Sequence, residues 1–173
     1  MEKKPTPAST MGLLVGLIMA VFSLLTYFTG IYTETWVQLL TAVILLAAFI
    51  ICILLHAREV NYRDSFARLF GFGFRAVAAA TVVTIGYVIL QNFIFPDIKT
   101  RFLEAQRNLA YARPDASANR EAIEQGIGML ERNYTLMMVL GVIFWMLVIG
   151  AIASLIGAAI PKKNMPDTNF ENI

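Results

Sequence analysis

NYTLMMVLGVIFWMLVIGAIASLIGAAIP, residues 133–161, contains no charged side chain. A helix rises 1.5 Å per residue, so about 20 apolar residues cross a hydrocarbon core of roughly 30 Å, and this stretch exceeds that length. Three others also reach it without a charge: Met11 to Thr33, Thr35 to Ala57 and Ala76 to Pro96. Together they predict an all-α, polytopic membrane protein with four transmembrane helices. Composition agrees. Hydrophobic residues make up 58% of the chain and charged residues 15%, against about 45–50% and 25% in a soluble domain, and the excess is surface for lipid.

The spans are placed at about 11–32, 36–57, 70–96 and 133–160, inside a transmembrane domain of residues 11–163. Residues 1–10 and 164–173 form short cytoplasmic tails, and 97–132 an inserted helical segment. Lys3 and Lys4 ahead of an apolar run could suggest a secretory signal. The run continues through Tyr27 to Tyr32 with no small-x-small cleavage site before a polar sequence, which predicts an uncleaved first span, and no lipobox-like cysteine follows it.

Orientation follows from Lys and Arg in the short flanks, because basic residues near a span resist translocation. Lys3 and Lys4 precede span one, only Glu34 lies between spans one and two, Arg58, Arg63, Arg68 and Arg75 separate spans two and three, and Lys162 and Lys163 follow span four. Both termini are thus expected in the cytoplasm. The segment from Asp97 to Arg132 balances six basic against six acidic residues and is expected outside the cytoplasm. Tyr27, Tyr32, Trp36 and Tyr134 fall where an outer aromatic belt would sit. Trp145 falls about 16 Å deeper than Tyr134 and is expected to pack within the bundle.

The insertion reads as an extracytoplasmic helical hairpin between helices 3 and 4. Ile98, Phe102, Ala105, Leu109 and Ala112 recur at spacings of four and three, with Asp97/Arg101 and Arg101/Glu104 as surface pairs. Pro114 stops that helix, Asp115 or Ser117 is placed as the next N-cap, and Ile123, Ile127, Leu130, Tyr134 and Met137 repeat the pattern into span four. Gly126 and Gly128 weaken this second helix near the membrane. The inner connection carries Tyr62, Phe66 and Phe70 at spacings of four and Asp64/Arg68 on another face. It reads as a short interfacial helix whose Arg58, Arg63, Arg68 and Arg75 contact lipid headgroups, or as arginines that only fix topology. The lone GxG at Gly71-Phe72-Gly73 is placed at the bend into span three.

Helices in lipid associate through small residues and polar side chains. Gly12 and Gly16 form a GxxxG in span one, Ala76, Ala80 and Thr84 repeat at four in span three, and Gly150, Ser154 and Ala158 do so in span four, all expected as helix-packing positions. Gln91 and Asn92 are placed near the outer headgroups. No ionisable residue interrupts a span. His56, the only histidine, falls at the inner end of span two as a solvated interfacial residue, and Cys52, the only cysteine, allows no intramolecular disulfide. These residues supply no catalytic set, metal site or cofactor motif, so the expectation is a non-enzyme without cofactors. A net charge of +2, with scattered basic residues, excludes a nucleic-acid stripe.

The order of features resembles a bacterial membrane family, domain of unknown function 4199. The resemblance rests on Tyr62-Arg63-Asp64-Ser65-Phe66 before span three, Phe95-Pro96-Asp97 closing it, a charged helical insertion, and the run from Leu147 to Ile156 followed by Lys162 and Lys163. It covers roughly Met11 to Lys163 and implies a four-span inner-membrane protein of Bacteroidota-type bacteria, with no activity and no catalytic residues. This insertion balances acids and bases where the family's are more acidic. The leading expectation is a structural or assembly role through the hairpin, with membrane lipids and either a second copy or another envelope protein as partners. The alternative is a subunit of an oligomeric transporter or channel, with a path lined by Thr41, Thr81, Thr84, Gln91 and Ser154. A lipid-modifying enzyme that holds phosphate with Arg58, Arg63 and Arg68 lacks a nucleophile or base.

Overall fold

The computed structural model describes residues 5–161 except 33, 115, 116 and 118. Lys3, Lys4, Asp115, Lys162, Lys163 and the C-terminal tail lie outside the described residues. Those described form six α-helices and no strand: α1 (Ala8–Phe28), α2 (Thr35–Glu59), α3 (Phe66–Ile94), α4 (Asp97–Tyr111), α5 (Arg120–Arg132) and α6 (Tyr134–Ala159). Four of them, α1, α2, α3 and α6, are long and apolar enough to cross a membrane, with mean hydropathies of 2.2, 2.9, 1.8 and 2.7. Their outward faces carry large apolar side chains, Phe93 being 86% exposed and Phe144 68%. Such surface belongs against hydrocarbon, where a helix satisfies its own backbone. The chain has the makeup of a multi-pass membrane protein.

Turn chemistry fixes the connections. Gly30, at φ +75°, ends α1 in a Schellman turn, with Ile31 N–H donating to Thr26 O (3.2 Å) and Gly30 N–H to Tyr27 O (3.0 Å). The same motif ends α2, through Tyr62 N–H to Ala57 O (2.8 Å) and Asn61 N–H to Arg58 O (3.0 Å). Here the left-handed positions are Asn61 (φ 52°) and Tyr62 (φ 56°), unusual for a tyrosine. Pro96 holds Phe95 extended (φ −124°, ψ 74°) and separates α3 from α4.

Four sequence expectations change. The interfacial helix from Tyr62 through Phe70 does not form. Instead Ser65 caps α3 by accepting from Arg68 N–H (3.4 Å), and the helix runs unbroken from Phe66, leaving Tyr62 in the turn. Gly71 and Gly73 therefore sit inside a helix and mark no bend. Ser117 is not the N-cap of α5, which begins after Asn119. The second hairpin helix is also separate from α6, the two being divided at Asn133.

The long helices form a ring in the order α1, α3, α6, α2, with α3 packed most extensively. Small residues decide this. Gly12 lies so close to α3 that an added Cβ would land on the Ala76 carbonyl, and at Gly16 it would come 2.8 Å from Val83 Cβ. Across the ring, a Cβ on Gly150 would meet Val77 Cγ1 at 2.5 Å, and one on Gly73 would meet Ile53 Cδ1 and Ser154 Oγ at 2.6 Å. Ala76, Ala80, Ala158 and Ser154 are buried between helices of the same chain.

Candidate functional site

Two regions at opposite ends of the bundle gather polar chemistry. At the basic end, where α1 and α3 begin and α2 and α6 finish, the Thr6 backbone N–H (2.7 Å) and hydroxyl (2.8 Å) both donate to the Glu59 carboxylate, tying the start of α1 to the end of α2. Arg58, Arg63, Arg68 and Arg75 are all exposed here. Arg68 pairs with Asp64 (3.5 Å), and Arg75 donates from Nε to Gly71 O (3.0 Å), so its side chain folds back toward the basic end as a snorkelling arginine would.

His56 is not the solvated residue expected. Its ring stacks on Phe72 (centroids 3.8 Å apart, 8° between planes), Nε2 lies 3.4 Å from Asp64 Oδ2, and Nδ1 is buried without a hydrogen-bond partner among the described residues. The reason is the early start of α3, which brings Phe72 across the face of α2. Sequence spacing could not bring Asp64 to His56, because the turn between them reverses the chain.

The hairpin end is hollow. Two adjoining chambers lie among all four long helices, with Ser23, Thr41, Val88 and Gln91 in both linings. The upper, about 220 Å³, is roofed by Ile98 and Phe102 of α4 and by Tyr134 of α6. The lower, about 180 Å³, reaches down to Met19, Leu45, Trp145 and Met146. No charged residue lines either one. Below them Phe49, Ile53 and Val77 are almost fully buried and fill the centre of the bundle.

Three local structures build this hollow. Tyr27 donates to Asp97 (3.1 and 3.2 Å) and packs its ring on Phe95 (centroids 4.7 Å), pinning the end of α1 to the α3–α4 junction. The Phe102 ring meets Tyr134 edge-on (5.8 Å), which buries Tyr134 within the protein and removes it from the expected belt. Within the walls, Thr41 and Thr84 donate to carbonyls of their own helices (2.7 and 2.9 Å), and Tyr87 donates to Ser23 Oγ (3.2 Å).

Of the path expected from sequence, Thr41, Thr84 and Gln91 line the chambers, whereas Thr81 and Ser154 do not. Gln91 and Asn92 both line the upper chamber, and Asn92 Nδ2 is buried without a partner among the described residues, as is the Tyr32 hydroxyl. Trp145, expected inside the bundle, is 51% exposed and stands at the edge of the lower chamber. The polar residues Ser23, Gln38 and Asn92 were legible as single polar positions in apolar runs, but nothing in their spacing joined three helices at one level.

The hairpin itself is stitched on one side. Tyr111 Oη donates to Glu124 Oε1 (2.7 Å) and Arg107 Nη2 to Glu124 Oε2 (3.2 Å). The Tyr111 hydrogen bond, with Arg107 behind it, holds the Glu124 carboxyl below the usual carboxylate range, and the same bond pushes the Tyr111 phenol up. Along its seam the pair stays open. A groove of about 460 Å³ runs between Leu109 and Ala110 of α4 and Ile123, Ile127 and Leu130 of α5.

A family model described as a protein of unknown function (DUF4199) matches residues 10–163. The chain belongs to this family. The match spans all four long helices and the hairpin between α3 and α6. No curated protein matches the chain, and neither does any solved structure.

Proposed function

We propose that this DUF4199 member is a non-enzymatic inner-membrane protein that assembles through its hairpin, with a second copy of the same chain as partner. The open groove between α4 and α5 carries the reading. Leu109, on its edge, is 64% exposed and Met129 of α5 65%, and apolar surface beyond the membrane level favours cover by another protein. Six basic and six acidic residues in the hairpin suit a two-fold contact, in which each charge of one copy can face its opposite on the other. The basic end, with its exposed arginines, faces the cytoplasm and anionic headgroups, and the hairpin projects outside.

Cysteine replacement at Leu109, after Cys52→Ala, tests the partner. In native membranes a disulfide-linked dimer is expected, and Leu109→Glu is expected to abolish the oligomer without lowering the thermal stability of the monomer. A crosslink to a different envelope protein, or none, would overturn self-assembly. A periplasm-only reporter should be active within 114–119 and silent after Lys163. The transport reading draws on the chambers, but Phe49, Ile53 and Val77 line neither of them and fill the centre of the bundle, so a path would need a second copy to complete it.

A further inference from the structure

We infer that the two chambers at the hairpin end bind a neutral, lipid-soluble molecule with carbonyl oxygens at one end and a hydrocarbon tail at the other. The polarity of the walls sets this orientation. Both linings mix polar and apolar residues and share Ser23, Thr41 and Gln91, but Thr26, Tyr32, Gln38 and Asn92 line the upper chamber alone, whereas Met19, Leu45, Val142, Trp145 and Met146 line the lower alone. Jointly they approach the size of small-ligand pockets, about 300–1,000 Å³. A head therefore belongs above and a tail below.

The free hydrogen-bonding groups set the chemistry of the head. Thr41 and Thr84 spend their protons on their own helices, and Tyr87 spends its proton on Ser23. Tyr32 Oη and Asn92 Nδ2 are left buried and without a partner among the described residues, and both side chains line the upper chamber. A buried donor without an acceptor is costly, so an acceptor oxygen brought by the occupant gains what the empty chamber lacks. Both unspent groups can donate, which suits carbonyl oxygens. No charged residue is among either lining, which favours a neutral head over an ionic one.

The occupant has two sources with this chemistry: an acyl ester of the bilayer, such as diacylglycerol, or a quinone with an alkyl tail. Full-length protein in phospholipid nanodiscs is titrated with a photoactivatable diacylglycerol and, separately, with a short-chain alkyl quinone, and crosslinks are mapped by mass spectrometry. Saturable labelling of chamber residues by either probe supports the site, and the probe that labels names the source. Tyr32→Phe and Asn92→Leu are each expected to weaken binding about five- to tenfold. Thermal stability separates a binding loss from misfolding. Asn92→Leu should raise the melting temperature of delipidated protein, because it removes an unpaired donor, and should abolish the stabilisation that added ligand gives wild type. Labelling by neither probe, or binding undiminished in both variants, would show the chambers to hold only water and overturn the inference. Because assembly is read from Leu109 crosslinks, failure here leaves that reading separately testable.

Discussion

The two halves of the bundle are built from the same kind of helix and pack in opposite ways. Toward the basic end, Gly12, Gly16, Gly73, Gly150 and Gly157 let neighbouring helices approach until a single added carbon would collide. Toward the hairpin end the space between helices is hollow. Glycine in these helices is not one signal, for Gly86 and Gly141 are exposed with nothing within 4 Å of where a Cβ would stand, and Gly71 at the basic end is equally open. On an inward face glycine closes a contact, and on an outward face it touches nothing.

The contrast is sharpest within α6, where Gly141 and Gly150, nine residues apart, stand on opposite faces of one helix, the first exposed and the second buried. The largest effect is expected at the tight end. Gly12→Leu drives a side chain into the Ala76 backbone, which cannot move aside as a side chain would, and should cost about 3 kcal/mol or more, measured by thermal or denaturant unfolding in detergent. Gly150→Ala meets the Val77 side chain, which can yield, and should cost about 1–3 kcal/mol. Equal tolerance of Gly12→Leu and Gly141→Leu would remove the distinction between inward and outward glycines.

An opposite sign is expected on the outward face. Gly141→Ala adds a methyl to open space and reduces the freedom of the unfolded chain, so it should be neutral or stabilise by about 0.4–1 kcal/mol in the same assay. A loss comparable to that at Gly150 would mean that α6 is in close contact on both faces. The smallest effect belongs to the hairpin. Because the folded Glu124 carboxyl is held below its ordinary value of 4.5, its contribution is complete above that pH and fades as the pH falls through the depressed folded value. Hydrogen exchange of α4 and α5 should quicken over that acidic window in wild type, and Glu124→Gln should flatten the response. An unchanged response in the variant would assign the acid sensitivity to other carboxylates. Tyr111 should give the mirror effect, its contact present below pH 10 and lost as the pH rises beyond its raised value.

Four spans, their antiparallel order and the hairpin between the third and fourth were legible because hydrocarbon thickness imposes a length and charge imposes a cost, and both are properties of consecutive residues. The small-residue positions were legible as well, since Gly12/Gly16, Ala76/Ala80 and Gly150/Ser154/Ala158 recur at one helical face. What they face was not. Helical spacing gives the side of a helix and leaves open which neighbour stands there, so the pairings of α1 with α3 and of α6 with both α3 and α2 emerge only from the fold. The single seam read along Ile98, Phe102 and Leu109 is in fact divided: its first residues roof the bundle and its last face α5.

His56 and Asn92 show the same limit from the polar side. Each stands near the end of an apolar run, where sequence alone assigns it to water or headgroups. Tertiary structure gives each a neighbour that spacing could not, His56 the ring of Phe72 and Asn92 a chamber roofed by α4. By itself the sequence determined how many helices are long and apolar enough to cross a membrane, because the length and polarity that a bilayer demands are properties of each segment independently. Only the tertiary structure decided where the bundle closes and where it stays hollow, because a cavity belongs to no segment and exists only in the distance between four of them.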